Sequence, residues 1–374
     1  MRIFGQMENQ GHEQVVFVQD SDAGLTAIIA IHSTVLGPAL GGTRMYPYAT
    51  EEQALRDVIE LSRGMTYKAA AAGLPLGGGK AVIIGDPLKI KSERLFRTFG
   101  EFVQRMNGVF YTGEDVGTDP SDMDIVRRVT RFVGGVSRER GGAGDPSPVT
   151  AYGVLQGMKA CAQERWGRES LEGRRVAVQG LGKVGWALTE LLQQANATVI
   201  GCDANPERRE QADRQLGIQT VDSDDIYDVP ADIFAPCAMG GSISQHTLPR
   251  LKCEVIAGSA NNQIAGADVP RAILERGILY APDYVINAGG LINVYVELHQ
   301  YDRTRALALT REIYSRLRKV FAVAHGLGIP TSVAADRIVE QRLAQGRRER
   351  TTSRASDVDV SGSAAAIAGV MAQP

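Results

Sequence analysis

The sequence predicts an α/β protein of two domains, and three observations carry that reading. Its 374 residues are enough for two or three hydrophobic cores. Beyond Arg174 apolar runs and helical segments alternate, beginning with a strand–helix–strand unit of about 30 residues, the size of one βαβ motif. Near Gly144 the character of the chain changes: before it lies a hairpin followed by amphipathic helices, after it the parallel-sheet rhythm.

The elements follow in order. EQVVFVQD and LTAIIAIHS are two β-prone runs joined by Ser21-Asp22-Ala23-Gly24, a hairpin. Thr50 caps EEQALRDVIELSRGM, a helix with Ala54, Leu55, Val58, Leu61 and Met65 on one face and acids in its first turn, delivering Lys68 at or just past its end. KAVIIG (80–85) reads as a buried strand, SERLFRTFGEFVQRM as a second amphipathic helix, and VFYTGEDVGT as a strand entering a polar loop. Ser147 as cap with Pro148 at the first helical position opens the next helix. RRVAVQ, KVGWALTELLQQA and ATVIGCD form the βαβ unit, followed by strand-like ADIFAP, EVIAGSA and ILYAPDYVI. Past Gly290 two long helical segments lead to a basic, then Ser/Ala/Gly-rich tail, read as mobile or as a partner contact.

Composition narrows the function classes. A net charge of −2 supplies no basic field for nucleic acid. No apolar run spans a bilayer, and the N-terminus lacks the pattern of a signal peptide. The four cysteines lack CxxC spacing and three lie in or beside strands, which implies a reducing, cytoplasmic setting. The five histidines are scattered, so no metal site is expected.

Gly180-Leu181-Gly182-Lys183-Val184-Gly185 is a GxGxxG between a strand and a helix, and Asp203 ends the next strand 23 residues after the first glycine. The glycines permit a tight turn and close approach of backbone to a pyrophosphate, and the helix start offers free N–H groups. Asp203 would bind both ribose hydroxyls and repel a 2′-phosphate, favouring NAD over NADP. Arg208 and Arg209 leave tolerance of NADP open; the alternative is that both face solvent.

MTYKAAAAGLPLGGGKAVIIGDP (65–87) holds Lys68 and Lys80, twelve residues apart, among small and aliphatic residues with no acid between them. A buried ammonium needs an anion or a lowered pKa, and two such groups in one pocket repel. One lysine kept cationic to grip a carboxylate, and one neutral to act as base, would suit a substrate whose reacting centre lies one carbon from an acid group. The bland alternative is that both reach water along their stems.

The residues LGPALGGTRM (36–45), GMTYKAAAAGLPLGGGKAVIIGDP (64–87), GEDVGT (113–118), GDPSPVTAYGV (144–154), VAVQGLGKVG (176–185), APCAMGG (235–241), AGSANNQ (257–263) and APDYVINAGGLINV (281–294) resemble the glutamate/leucine/phenylalanine/valine dehydrogenase family from about Glu13 to Gln345. The resemblance implies an N-terminal α/β domain for substrate and assembly (residues 1–147 with 331–374), a Rossmann-type NAD domain (148–330), and a C-terminal helix returning to the first. It implies that Lys68 binds the substrate α-carboxylate with help from Asn262. It makes Lys80 the general base that activates water, and Asp115 the acid that holds the amine and shuttles protons. Thr150, Ala238 and Asn261 would stand along the cofactor, with Gly180, Leu181, Gly182, Lys183, Val184, Gly185 and Asp203. Gly41 and Gly290 would line the pocket with backbone.

The implied reaction is reversible NAD-dependent oxidative deamination of an L-amino acid to a 2-oxo acid and ammonia, in a homo-oligomer, an octamer by resemblance. Leu40 and Val294 stand where glutamate-specific members carry a lysine and a serine, so a γ-carboxylate would meet apolar walls. With Met65 and Leu291 they suit leucine and other branched side chains. Leu291 and Tyr295 depart from the commonest residues there, and GGLINVY also resembles members acting on aromatic amino acids such as tryptophan or phenylalanine. A non-catalytic sensor of NAD or amino acid is the rival from another class; intact Lys68, Lys80 and Asp115 argue against it.

Overall fold

The computed structural model describes the backbone of residues 3–370 and the side chains of residues 3–352. A short helix absent from the sequence reading, α1 (Ile3–Gln10), precedes the hairpin β1 (Gln14–Asp20) and β2 (Leu25–Ser33), which pair antiparallel from Gln14 opposite Ile31 to Asp20 opposite Leu25. Then come β3 (Ala39–Leu40), β4 (Thr43–Tyr46), α2 (Glu51–Ala71), β5 (Gly77–Ile84), α3 (Pro87–Ile90), α4 (Glu93–Arg105), β6 (Phe110–Tyr111) and α5 (Pro120–Arg127).

The strands form one mixed sheet in the order β1-β2-β5-β3-β6, with β4 also beside β5. Alternation along the strands sends Ile28, Ala30 and Val82 to one face, under Leu55 and Val58 of α2. Ile29, Ile31, Ala81 and Ile83 go to the other, against Phe96 and Phe99 of α4 and Met123 of α5. Thr50 does cap α2, its hydroxyl accepting from Gln53 N at 3.2 Å. The helix runs six residues past Met65 through an alanine run, and stops where Gly73 takes φ +68.

The second domain comprises α6 (Ser147–Trp166), β7 (Arg175–Gln179), α7 (Lys183–Gln194), β8 (Thr198–Cys202), α8 (Pro206–Leu216), β9 (Gln219–Thr220), β10 (Ile233–Pro236), β11 (Val255–Ile256), α9 (Val269–Glu275) and β12 (Leu279–Tyr280). The chain then turns helical: α10 (Asp283–Ile286), α11 (Gly289–Glu297), α12 (Arg303–Arg311), α13 (Ile313–Leu327) and α14 (Thr331–Val370). Its sheet is all parallel in the order β12-β11-β10-β7-β8-β9. The chain moves outward from β7 to β9, then crosses back to β10, so the order reverses between β7 and β10. That reversal opens a crevice at the strand ends, the doubly wound arrangement expected of a dinucleotide fold.

Several expectations need correction. Ser147 is the first helical residue of α6 and not its cap, because the Asp145 carboxylate two residues earlier accepts from Ser147 N at 2.9 Å. ILYAPDYVI is not one strand: Pro282 breaks it after two strand residues and DYVI becomes α10. The single helix read over 304–326 divides at Glu312. Helix α14 carries on through the basic patch to Val370; the side chains past Thr352, where the mobile or partner-binding tail was read, lie outside the described residues. Its first half returns to the lysine-bearing helix, Arg342 donating to Ala70 O at 2.6 Å and Leu74 O at 2.9 Å. No helix among the described residues is long and apolar enough to cross a membrane.

Candidate active site

The two lysines meet because of how α2 sits on β5. Lys80 faces the helix side of the sheet, together with Gly78 and Val82. Gly78 lets the helix settle: a Cβ there would lie 2.0 Å from Thr66 N. The glycines before Lys80 therefore make room for backbone of this same chain, and they bring the last turn of α2, with Lys68, over Lys80.

Asp115 arrives from the GEDVGT loop. Its N–H donates to the Thr118 hydroxyl at 2.9 Å, and that hydroxyl donates to Thr43 O of β4 at 2.8 Å. So held, Asp115 Oδ2 lies 2.7 Å from Lys80 Nζ, whose side chain is 8% exposed. The same oxygen receives Arg44 Nε at 3.3 Å, and Arg44 also grips Asp57 at 2.9 Å. Burial pushes the Asp115 carboxyl up, but the charge and hydrogen bond of Lys80 and the charge of Arg44 outweigh it and hold it below the usual carboxylate range.

Lys68 is half-buried across the cleft, and Nζ donates to Asn261 Oδ1 at 3.0 Å. Asn287 Nδ2 donates to the same oxygen at 2.8 Å and to Ser259 O at 3.0 Å, which fixes the amide. Burial lowers the Lys68 pKa to about 8; Asp283 opposes the fall, Lys80 adds to it, and Asp115 opposes it more weakly. The structure adds a partner that the spacing did not reveal. Lys80, expected to be the neutral amine, has a carboxylate partner brought from 35 residues away, and the depressed lysine is Lys68.

These groups line a cleft of about 830 Å³ between the two domains, with Met65, Asn261, Asn262 and Tyr284 along it and Ser332 and Asp336 of α14 at its side. Leu40, Gly41, Gly290, Leu291, Val294 and Thr150 do not line it. Leu40 and Leu291 are buried, at 2% and 9% exposure, in the cluster against which Met65 and Val294 pack. Gly290 lies beside Thr150, where a Cβ would sit 3.1 Å from the hydroxyl. Arg44, Asn287 and Asp283 escaped the sequence reading as site residues. Their motifs were read, but nothing local marks which side chain turns inward.

The glycine loop lies at the reversal of strand order. Gly180 takes φ +99 against Ala238, and a Cβ on Gly185 would lie 1.9 Å from Gly180 O. Around Gly182 nothing stands within 4 Å of a Cβ position, and α7 begins there without a side-chain cap, so its first N–H groups are free. Open space over free N–H groups suits a pyrophosphate. Asp203 accepts from Leu181 N and Asn205 N, each at 2.9 Å, and so braces the loop. Arg209 does not simply face solvent; it holds Asp203 O at 2.7 Å and Asp222 at 3.0 Å. Arg208 is the freer, 3.7 Å from Asp203. Lys183 is exposed and reaches Asp145 at 3.6 Å.

Comparison with known proteins agrees with this geometry. Residues 12–132 match the family profile described as Glu/Leu/Phe/Val dehydrogenase, dimerisation domain, and residues 141–206 and 204–334 match that of Glutamate/Leucine/Phenylalanine/Valine dehydrogenase. A leucine dehydrogenase of Geobacillus stearothermophilus is 55% identical over 94% of this chain and 96% of its own. A valine dehydrogenase of Streptomyces virginiae is 51% identical over 90% and 95%. The crystal structure of L-tryptophan dehydrogenase from Nostoc punctiforme superposes with a TM-score of 0.83 at 43% identity, covering 92% of this chain and 99% of that one. The chain belongs to the glutamate/leucine/phenylalanine/valine dehydrogenase family, and is an amino acid dehydrogenase whose second domain carries a Rossmann-type sheet consistent with a nicotinamide cofactor.

Proposed function

We propose that this enzyme carries out NAD-dependent, reversible oxidative deamination of L-leucine and other branched-chain L-amino acids to 2-oxo acids and ammonia. The observation that carries the reading is the Lys80–Asp115 ion pair at 2.7 Å, facing Lys68 across the cleft between the domains. In this proposal residues 1–147 with 331–374 hold the substrate and assemble the homo-oligomer, an octamer by family resemblance. Residues 148–330 hold the cofactor in a reducing, cytoplasmic setting, where the four cysteines are free.

The cofactor, when bound, accepts hydride from the substrate Cα. The Lys68 ammonium, with Asn262, holds the α-carboxylate, and Asn287 keeps the neighbouring amide of Asn261 in place. Asp115 uses Oδ2 on Lys80 and Arg44, which leaves Oδ1 for the substrate amine and its growing positive charge. Asp115 accepts a proton from the substrate ammonium, Lys80 Nζ takes the proton of the water that adds to the imino carbon, and Asp115 returns its proton to the departing nitrogen. The net change consumes one water and releases ammonium and one proton. Because the net change releases a proton, oxidation is favoured toward alkaline pH. Asp203 disfavours a 2′-phosphate and supports NAD; Arg209 is already engaged.

Met65 lines the cleft and packs against the apolar cluster that buries Leu40 and Leu291, so a γ-carboxylate brought to that wall would be left unpaired. Similarity to a tryptophan dehydrogenase and the large Tyr295 favour an aromatic substrate as a second reading. A panel of leucine, valine, isoleucine, phenylalanine, tryptophan and glutamate with NAD at alkaline pH decides between them. Highest kcat/KM with leucine, valine or isoleucine is expected. Preference for tryptophan or phenylalanine would replace that assignment, and NAD binding without NADH from any of them would leave only a sensor.

A further inference from the structure

Helices α2, α10, α13 and α14 meet around a cavity of about 400 Å³, away from both the lysine cleft and the glycine loop. Arg316 and Lys319 of α13 and Arg342 of α14 line it, Gln341 and Gln345 add amide groups, and no Asp or Glu is among its lining residues. Elsewhere the exposed and half-buried arginines of this fold commonly carry acids. Arg318, two residues from Arg316 on the same helix, pairs with Glu164.

Capping of α2 explains only part of this cluster. Arg342 gives two good hydrogen bonds to the carbonyls of Ala70 and Leu74, a sound use for a cation at a helix C-terminus. Arg316 is less well used. It reaches Ala71 O only at 3.4 Å, its Nε is buried without a partner, and it is pressed onto Gly73, where a Cβ would come within 1.9 Å of Nη1. Burial lowers the pKa of both arginines; the charge of Arg342 lowers that of Arg316 further, and Glu312, one turn earlier on the chain and outside the cavity lining, opposes the fall without reversing it. Three cations converge on a cavity with no acid of its own, at a cost in mutual repulsion that an arriving anion would remove.

We infer that this four-helix cavity binds a small dianion of the phosphate type. Guanidinium groups suit the oxygens of a tetrahedral dianion, and a single carboxylate would leave most of the positive charge unanswered. The volume is that of a small-ligand pocket, so the phosphate group could be inorganic or carried on a small phosphomonoester. Bound there, it ties α13 and α14 to the last turn of α2, one turn from Lys68.

The test is calorimetric titration of the full chain with inorganic phosphate and, separately, with glycerol 3-phosphate, at an ionic strength held constant with chloride. The glycine loop also attracts phosphate, so variants locate the site. Arg316→Leu should weaken binding by about 10-fold or more, while Arg316→Lys, which keeps the charge, should retain most of it. Lys319→Glu, at an exposed position that leaves helix packing intact, should also weaken binding by about 10-fold. The tighter of the two ligands identifies the source of the phosphate. Binding unchanged in Arg316→Leu and Lys319→Glu, or absent from the wild type for both ligands, would overturn the assignment and leave the arginines as helix-end caps.

Discussion

The glycine crevice and the lysine cleft are built on opposite principles. In the crevice, backbone does the work: Gly180 adopts φ +99, Gly185 closes on Gly180 O, and free N–H groups wait at the start of α7. In the cleft, side chains from distant segments do it, with Lys80 meeting Asp115, Asp115 meeting Arg44, and Lys68 meeting Asn261 of the other domain. A crevice of backbone can bind, but its one buried acid, Asp203, is spent on bracing the loop. A cleft of paired charges can move protons, but only while each charge keeps its partner.

The sharpest separation comes from Lys80→Ala. A lost general base costs on the order of 10²–10⁴ in rate, so kcat should fall by about 10³-fold with NADH affinity unchanged. Stopped-flow NADH binding alongside steady-state kinetics measures both. A variant that kept more than a tenth of the wild-type kcat would remove Lys80 from the chemistry. Gly185→Val is the reverse experiment. Its side chain would meet Gly180 O, and overpacking of about 1–3 kcal/mol predicts up to about 100-fold weaker NADH binding, with 2-oxo acid binding intact. Equal loss of both ligands would mean that the two sites are not energetically separate.

Arg44→Met tests whether the charge chain extends beyond the ion pair. Arg44 helps hold the Asp115 carboxyl low, so its loss lets that pKa rise. Asp115 must be ionised to act, and the acid limb of the kcat/KM profile should therefore move to higher pH. At neutral pH the loss should be about 10-fold, the low end for a charged hydrogen bond, because Asp115 is part exposed. A profile unmoved on its acid side would make Arg44 a packing residue.

How much of this was legible beforehand follows the same division. The hairpin, the Thr50 cap, the βαβ unit and the GxGxxG loop are written in adjacent residues, because turn geometry and helix capping are local physics. The reading failed where a neighbour outside the motif decided the outcome. Pro146 stands at the cap position with Asp145 bonding the Ser147 N–H, and Pro282 cut the last strand short. In the cleft the lysines, Asp115 and Asn261 were legible as participants, but their pairing was not. An acid 35 residues from Lys80 and a helix lowered onto β5 decide which partner each amine meets, and spacing holds no record of either. Arg44 and Asn287 sit in motifs that were recognised, yet their direction is set only by tertiary packing.

The subtlest consequence is a proton. Free Lys68 has its pKa lowered from 10.5 to about 8, chiefly by burial. A substrate carboxylate that pairs with it favours the charged form and raises that value, so binding above the lowered pKa must draw a proton from solution. At about pH 6.5 the lysine is already protonated and no uptake is expected; at about pH 8.5 part of one proton should be taken up per 2-oxo acid bound. Calorimetry in two buffers of different ionisation enthalpy measures this directly, and Lys68→Met should abolish it. Above pH 8 affinity should fall by up to about 10-fold per pH unit, since each unit removes tenfold of the charged form. Heats independent of buffer at the higher pH would mean that Lys68 stays fully charged in the empty cleft, and that burial there costs less than the packing around Asn261 and Asn287 implies.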